Sequence, residues 1–246
     1  MSHHLLEAID LAYDYPDGTP ALRGLSFRIH HGEAVAIVGA NGAGKSTLLM
    51  HLNGLLMPSR GEVRIGDWPV TRKTRPQVFR SVGYVFQDPD DQLFMPTVFD
   101  DVAFGPLNMG LDLPEVERRV HDALATVGAE HLAARAPYRL SGGEKRAVAI
   151  AGVLAMAPDV LVLDEPSDNL DPAARRRLMT LLAAFSHTRV IATHDLDLVL
   201  DVCSRVIVMK AGAIEADGAP VEIFADAALL ARCGLEAPLS WQGRRA

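Results

Sequence analysis

One nine-residue segment, at positions 39–47, constrains what this chain can fold into more than any other. It reads Gly-Ala-Asn-Gly-Ala-Gly-Lys-Ser-Thr and lies between the apolar runs 34–38 and 48–52. In that context the spacing G-x-x-x-x-G-K-S predicts a strand, a tight loop and a helix. Glycines let the backbone turn its N–H groups toward an anion, which the positive end of the helix also attracts. We predict that the loop holds a nucleoside triphosphate; an ordinary glycine turn is the alternative.

The same loop supplies specific groups to a bound nucleotide. Lys45 is placed to reach the β- and γ-phosphates, and the Ser46 hydroxyl is placed to ligate Mg²⁺. The predicted nucleotide-binding residues of the loop are Asn41, Gly42, Ala43, Gly44, Lys45, Ser46 and Thr47. The predicted cofactors are therefore a nucleoside triphosphate and Mg²⁺.

A second anion-binding position is predicted at the start of another helix. Ser141, Gly142, Gly143 and Glu144 precede an apolar-rich helix predicted over 145–157. Ser141 and Glu144 have the spacing of a capping box, which is the structural interpretation. Two glycines in a first helical turn cost helix stability, however, and they expose N–H groups at the positive end of the helix. We therefore predict that these four residues also contact phosphate.

Polar side chains follow three predicted strands directly. Asp164 and Glu165 end the apolar run 160–163, while Gln87 follows 82–86 and His194 follows 189–193. Ligands of open α/β sheets lie at the carboxyl ends of the strands. Asp164 is the predicted Mg²⁺ ligand, Glu165 the predicted general base that orients the attacking water, and His194 a candidate contact of the γ-phosphate.

The rest of the chain indicates an α/β protein. Alternating residues over 5–29, interrupted by a turn at 16–18, predict a β hairpin that carries Tyr13 and Tyr15. Helical spacing dominates 97–158, and 205–209 is predicted to be a closing strand. We predict a single domain over 1–246, an inserted helical subdomain over 88–157 and a C-terminal tail over 226–246, helical at first and frayed after Pro238.

Composition excludes several classes of protein. The net charge of −7, with no long basic run, argues against nucleic acid as a partner. No apolar run reaches the roughly 18 residues that span a bilayer, so a membrane role would need partners. Cys203 and Cys233 lie outside any C-x-x-C pattern and are expected to be reduced.

Taken together, residues 5 to 225 resemble the ATP-binding-cassette (ABC) ATPases. The resemblance implies ATP as the nucleotide and a RecA-like P-loop NTPase core with an N-terminal antiparallel β subdomain. It makes Gln87 both a catalytic residue and a Mg²⁺ ligand, His194 a catalytic switch, and Tyr15, with Tyr13 as the alternative, the aromatic that stacks on adenine. It also implies a head-to-tail homodimer, in which Ser141–Gly143 of one subunit meet the ATP on Lys45 of the other. Asp168 and Asn169 depart from the small residues often found at their positions.

Within that family, 87–94 and 98–106 resemble the ATPases of energy-coupling-factor (ECF) importers. This resemblance implies two partners, a transmembrane coupling protein and a substrate-binding membrane protein, and a peripheral location on the cytoplasmic face of the cell membrane. The short chain is most similar to the cobalt or nickel importer ATPases. The alternatives are an ECF importer of a vitamin such as biotin and a soluble ABC ATPase of the iron–sulfur assembly type.

Overall fold

A computed structural model describes residues 4–185 and 187–242. The strands are β1 His4–Asp14, β2 Pro20–His30, β3 Ala34–Val38, β4 Arg60–Ile65, β5 Trp68–Pro69, β6 Val82–Val85, β7 Val160–Asp164, β8 Thr188–Ala192, β9 Arg205–Lys210 and β10 Ala213–Gly218. The helices are α1 Lys45–Leu52, α2 Arg75–Ser81, α3 Val98–Asn108, α4 Leu113–Val127, α5 Gly142–Leu154, α6 Pro172–Ala184, α7 Leu196–Val202, α8 Pro220–Ala225, α9 Ala227–Arg232 and α10 Leu239–Gln242.

The chain divides into two compact units. Of the described residues, 4–79 and 187–242 form the first unit, and 80–185 form the second. The predicted bounds of a single domain over 1–246, a helical subdomain over 88–157 and a tail over 226–246 remain predictions, and positions 1–3, 186 and 243–246 lie outside the described residues. No helix among the described residues is long and apolar enough to cross a membrane.

The first unit contains an antiparallel sheet in the order β2-β1-β4-β5. Burial alternates along β2 because one face of this sheet packs inward and the other meets solvent. A turn ends β1, and there the Tyr15 N–H donates to the Thr19 carbonyl over 2.9 Å. The predicted hairpin and antiparallel subdomain are therefore confirmed.

Parallel strands in the first unit carry two predicted site segments to the same edge. Strand β3 lies between β8 and β9, with Val35 opposite both Val190 and Arg205. All five residues of β3 are buried, as expected for an inner strand whose sequence is continuously apolar. The carboxyl ends of β3 and β8 lead into the glycine loop and into His194, so both reach one edge of the sheet.

The second unit also contains two parallel strands. Strand β6 pairs in parallel with β7, and Val85 lies opposite Leu163. Gln87 and Asp164 therefore leave the same sheet edge. Helices α3, α4 and α5 enclose an apolar core that includes Val102, Val120 and Val148.

Several predicted element bounds are wrong. Helix α5 spans Gly142–Leu154 rather than 145–157, β6 ends at Val85, and a 3-10 helix forms over Pro89–Asp91. Strand β9 does not close its sheet, because β10 pairs with it in antiparallel fashion. Residues 239–242 form α10 instead of fraying, since the Asp197 carboxylate accepts hydrogen bonds from the N–H groups of Leu239 and Ser240. The prediction for 243–246 lies outside the described residues.

Candidate functional site

The glycine loop has a backbone that only glycine tolerates at two points. Gly44 has a φ of 100°, and a Cβ there would lie 2.7 Å from the Ala21 carbonyl oxygen. A Cβ on Gly39 would lie 2.4 Å from the Met209 carbonyl oxygen. Both distances are shorter than any stable contact, so the close packing around the loop fixes its shape.

Lys45 lies inside this loop. Its side chain is buried, and its Nζ donates to the Gly39 carbonyl oxygen over 2.9 Å. The Lys45 side chain therefore folds back over the loop residues that precede it. This is the position from which a compact cation can neutralise phosphate oxygens held by the loop N–H groups.

Tyr15 is tied to the end of the same loop. Its hydroxyl shares a 2.9 Å hydrogen bond with the Thr47 hydroxyl, and its ring meets the edge of Tyr13 at 5.1 Å between centroids. The Tyr13 ring is less exposed than that of Tyr15 and also packs against His51 at 4.7 Å. The structure therefore leaves Tyr15 the more accessible ring for stacking on a base.

His194 is exposed at the carboxyl end of β8. The Thr193 N–H donates to the Ile37 carbonyl over 3.1 Å, which holds this segment against the strand that precedes the glycine loop. Asp195 follows and caps α7 through the N–H of Leu198. The first unit thus brings together the loop residues, Tyr15 and His194.

In the second unit, Asp164 is almost fully buried at the end of β7. The Tyr84 hydroxyl donates to its Oδ2 over 3.0 Å. Burial and the neighbouring Asp164 charge raise the pKa of Tyr84 far above its usual range, so the hydroxyl stays a donor. Tyr84 was not among the predicted site residues.

Glu165 has an unusual backbone conformation. It is buried, and its φ is 42°, in the left-handed region that favours glycine. A non-glycine residue held there costs about 1–3 kcal/mol and marks a position where the surrounding structure imposes the geometry.

Gln87 is held at both its main chain and its side chain. Its Nε2 donates to Asp168 Oδ2 over 3.1 Å, and its carbonyl oxygen accepts from Arg146 Nη2 over 2.6 Å. Neither Arg146 nor the role of Asp168 was predicted. The only sequence signal was that Asp168 departs from the small residues often found at this position.

Ser141 caps α5 through a complete capping box. The Ser141 N–H and hydroxyl both donate to Glu144 Oε2 over 2.7 Å, and these bonds lower the pKa of Glu144. A Cβ added to Gly142 would meet no described atom within 4 Å, while one on Gly143 would lie 3.0 Å from the Ala174 Cβ. Gly142 is thus not required for packing within the chain, which leaves the helix start open to a ligand from outside.

The proposed metal ligands have the chemistry that Mg²⁺ requires. The Ser46 hydroxyl, the Gln87 amide and the Asp164 carboxylate all offer oxygen atoms, the donors that this hard cation prefers. Each of the three side chains therefore offers the kind of donor that Mg²⁺ takes.

Comparison with known proteins identifies the chain. Residues 22–168 match the family described as ABC transporter. The chain belongs to the ABC transporter family. It is an ABC ATPase and binds ATP, and the resemblance to this family drawn from the motifs is confirmed.

Relatives of this ABC ATPase match it over nearly its whole length. A protein of Geobacter sulfurreducens that bears the name "Putative ABC transporter ATP-binding protein" is 67% identical over 243 residues, which cover 99% of this chain and 98% of the relative. The energy-coupling factor transporter ATP-binding protein EcfA of Methanothermobacter thermautotrophicus is 49% identical over 239 residues, covering 95% and 77%. The resemblance to ECF-type ATPases is confirmed by this second relative.

Solved structures match the fold of this ABC ATPase as well. The cbiO1 protein of Clostridium perfringens, described as part of the ABC transporter complex cbiONQ, has a TM-score of 0.83 and 44% identity, covering 94% of each chain. A dimeric ATP-binding cassette in a post-hydrolysis state, bound to ADP and Pi, has a TM-score of 0.79 and 28% identity, covering 87% of this chain and 98% of that one. The predicted α/β P-loop fold is therefore confirmed.

Proposed function

We propose that this ABC ATPase acts as a head-to-tail homodimer and powers an ECF-type importer. The proposed cargo is cobalt or nickel ions. The observation that carries the proposal is the similarity along almost the full chain to cbiO1, a part of a cbiONQ transporter complex. The relative named EcfA supports the ECF assignment. In this proposal the ATPase lies at the cytoplasmic face of the membrane. A transmembrane coupling protein holds it there and works with a substrate-binding membrane protein.

The proposal gives each of the residues described above a role in the catalytic cycle. Lys45 and the loop N–H groups bind the phosphates, and Tyr15 stacks on adenine. Glu165 takes a proton from the attacking water, and His194 and Gln87 contact the reacting γ-phosphate region. Ser141, Gly142, Gly143 and Glu144 of the partner close over the same nucleotide. Ser46, Gln87 and Asp164 would hold Mg²⁺, which when bound neutralises phosphate charge.

An exposed aromatic pair in the second unit is the proposed docking surface for the coupling protein. The Phe94 and Phe104 rings meet edge to face at 5.0 Å between centroids, and Phe94 is 63% exposed. Asp101 fixes this surface, because its Oδ1 accepts the N–H groups of Phe94 and Met95, each over 3.0 Å. Rigid exposed aromatic rings suit the apolar face of a helix from a membrane protein.

Membrane association tests the transporter assignment. We expect the wild-type chain to co-purify with polytopic membrane proteins from gently solubilised native membranes, and Phe94→Asp with Phe104→Asp to lose them. Leu113→Asp is the matched control, because Leu113 is 67% exposed but lies on α4, outside the aromatic pair. A wild-type chain that remains soluble without a membrane partner would contradict the proposal and favour the iron–sulfur assembly type of ATPase.

The cargo is tested by the chemistry of the co-purified partner. Bound cobalt or nickel in that complex, and metal uptake that stops in Glu165→Gln, would support the metal-ion assignment. A partner that retains biotin or another vitamin would replace it with the vitamin importer.

A further inference from the structure

Gln87 must present one particular atom if it is to ligate a cation. A primary amide has a carbonyl oxygen that can bind Mg²⁺ and an NH₂ group that cannot. The two ends have nearly the same shape, so packing alone does not choose between them. Some neighbouring group therefore has to fix which end faces the metal.

Asp168 makes that choice in this chain. One of its carboxylate oxygens lies 3.1 Å from the Gln87 side-chain nitrogen. An ionised carboxylate only accepts hydrogen bonds, so the atom of Gln87 that faces it must be the NH₂ group. The opposite orientation would place two acceptor oxygens against each other.

The rest of Gln87 is anchored by α5. Arg146, only 4% exposed, donates from Nη1 to the Phe86 carbonyl over 2.7 Å and from Nη2 to the Gln87 carbonyl over 2.6 Å. Two charge-assisted hydrogen bonds from one planar guanidinium fix both the position and the direction of this backbone. With its main chain fixed by Arg146, the Gln87 side chain has its amide rotation set by Asp168.

Asp168 itself is positioned by the turn that carries Glu165. The Asp168 N–H donates to the Glu165 carbonyl over 3.2 Å, and Asn169 adopts a left-handed φ of 59° that completes the turn. The carboxylate that orients Gln87 is therefore part of the same turn as the proposed general base.

We propose that Asp168 is a positioning residue that orients the Gln87 amide, so that Oε1 is the atom offered to Mg²⁺. This inference rests on the proposed role of Gln87 as a metal ligand. A residue at position 168 without a side-chain hydrogen-bond acceptor, such as alanine, could not orient the amide in this way.

Cation binding without turnover tests the proposal. Mn²⁺ replaces Mg²⁺ as a paramagnetic probe, and its dissociation constant is measured by electron paramagnetic resonance with a non-hydrolysable ATP analogue bound to the full chain. We expect Asp168→Ala to raise that constant by about three- to tenfold, the net effect of losing one solvent-exposed hydrogen bond, and Asp168→Asn to raise it less. Asp159→Asn is the matched control, because Asp159 is exposed and lies in the same unit.

A second background separates orientation from simple charge loss. In Gln87→Ala there is no amide to orient and no new charge beside Asp168, so adding Asp168→Ala should not weaken Mn²⁺ binding further there. Weakening of equal size in both backgrounds would mean that Asp168 acts only through its charge, and would overturn the proposal. So would an unchanged constant for Asp168→Ala in the wild-type background.

Gln87→Ala distinguishes failure of this inference from failure of the proposed function. If Gln87→Ala leaves Mn²⁺ binding unchanged, Gln87 is not a ligand and the proposed metal site is wrong. If Gln87→Ala weakens binding while Asp168→Ala does not, only the orienting role of Asp168 is wrong.

Discussion

At the scale of single residues, a buried tyrosine hydroxyl holds the acidic strand end. We expect Tyr84→Phe to lower the free energy of unfolding by about 2 kcal/mol, the range for a buried hydrogen bond to a charged group. Urea denaturation measures this loss. Tyr138→Phe is the control, because Tyr138 is 75% exposed and loses the same hydroxyl. Equal stability losses in both variants would show that the bond between Tyr84 and Asp164 contributes nothing.

Burial of His51 makes the stability of the folded chain depend on pH. It is fully buried, its Nδ1 lies 2.7 Å from the Thr47 carbonyl oxygen, and burial lowers its pKa from the usual 6.5. Below pH 6.5 the unfolded chain takes up a proton at this histidine more readily than the folded chain does. The contribution of His51 to stability is therefore complete above that pH and is lost as the pH falls below it.

Chemical denaturation at pH 7.5 and 5.5 measures this effect. We expect His51→Gln to lose less stability than the wild type between the two values. The exposed His31, changed to glutamine, should leave the wild-type difference intact. The same loss of stability in wild type and His51→Gln would contradict the prediction.

The sequence led to a set of predicted site residues, but it did not reveal the residues that hold their side chains and backbone in place. Glycine spacing and polar residues after apolar runs are local signals, and they led to Lys45, Asp164 and Gln87. Tyr84 and Asp164 are 80 positions apart, and Arg146 lies 59 from Gln87. Contacts of this kind depend on how strands and helices align, which no local pattern encodes.

At the scale of secondary-structure elements, α10 is held by a residue of α7. The Asp197 carboxylate accepts hydrogen bonds from the first N–H groups of α10, and Trp241 of that helix packs against an apolar core of the first unit. We expect Asp197→Ala to shift Trp241 fluorescence to longer wavelength in a Trp68→Phe background, because the helix end loses its cap. Asp201→Ala on the same helix is the control, and an unchanged spectrum in Asp197→Ala would refute the role of the cap.

The elements that the sequence predicted are those with one dominant pattern. Strands β3, β7 and β8 are buried along their whole length, and they contain the apolar runs 34–38, 160–163 and 190–192. Strand β10 was missed because it mixes small and acidic residues. The signal for β10 was the two-residue turn at Ala211 and Gly212, which both have a positive φ. Such a turn suits a β hairpin, but the hairpin can be recognised only once both of its strands are identified.

At the scale of the whole molecule, the proposed head-to-tail dimer predicts complementation between two inactive variants. Ser141→Arg should bind ATP without hydrolysing it, and Lys45→Ala should fail to bind it. Mixed subunits form one complete site, from Lys45 of one variant and Ser141 of the other. We expect ATPase activity to return on mixing, to at most about a quarter of the wild-type value when association is random. No recovery in demonstrated mixed dimers would mean that both motifs serve a nucleotide in the same subunit.

Glu165→Gln tests the hydrolytic step on the same molecule. We expect this variant to bind ATP, to lose nearly all turnover and to accumulate as a dimer, because the water is no longer activated while the nucleotide still joins the subunits. Gel filtration with ATP and a phosphate-release assay measure the two effects. Turnover close to wild type would remove Glu165 as the base.

The left-handed backbone at Glu165 limits how the stability of this protein can be increased. Glycine would adopt that φ without strain, so Glu165→Gly is expected to favour folding where Glu165→Gln does not. Selection for thermal resistance alone would thus favour loss of the proposed base. If Glu165 is the base, as proposed, any stabilised form that keeps activity must gain its stability elsewhere, because the strained backbone at Glu165 has to be kept.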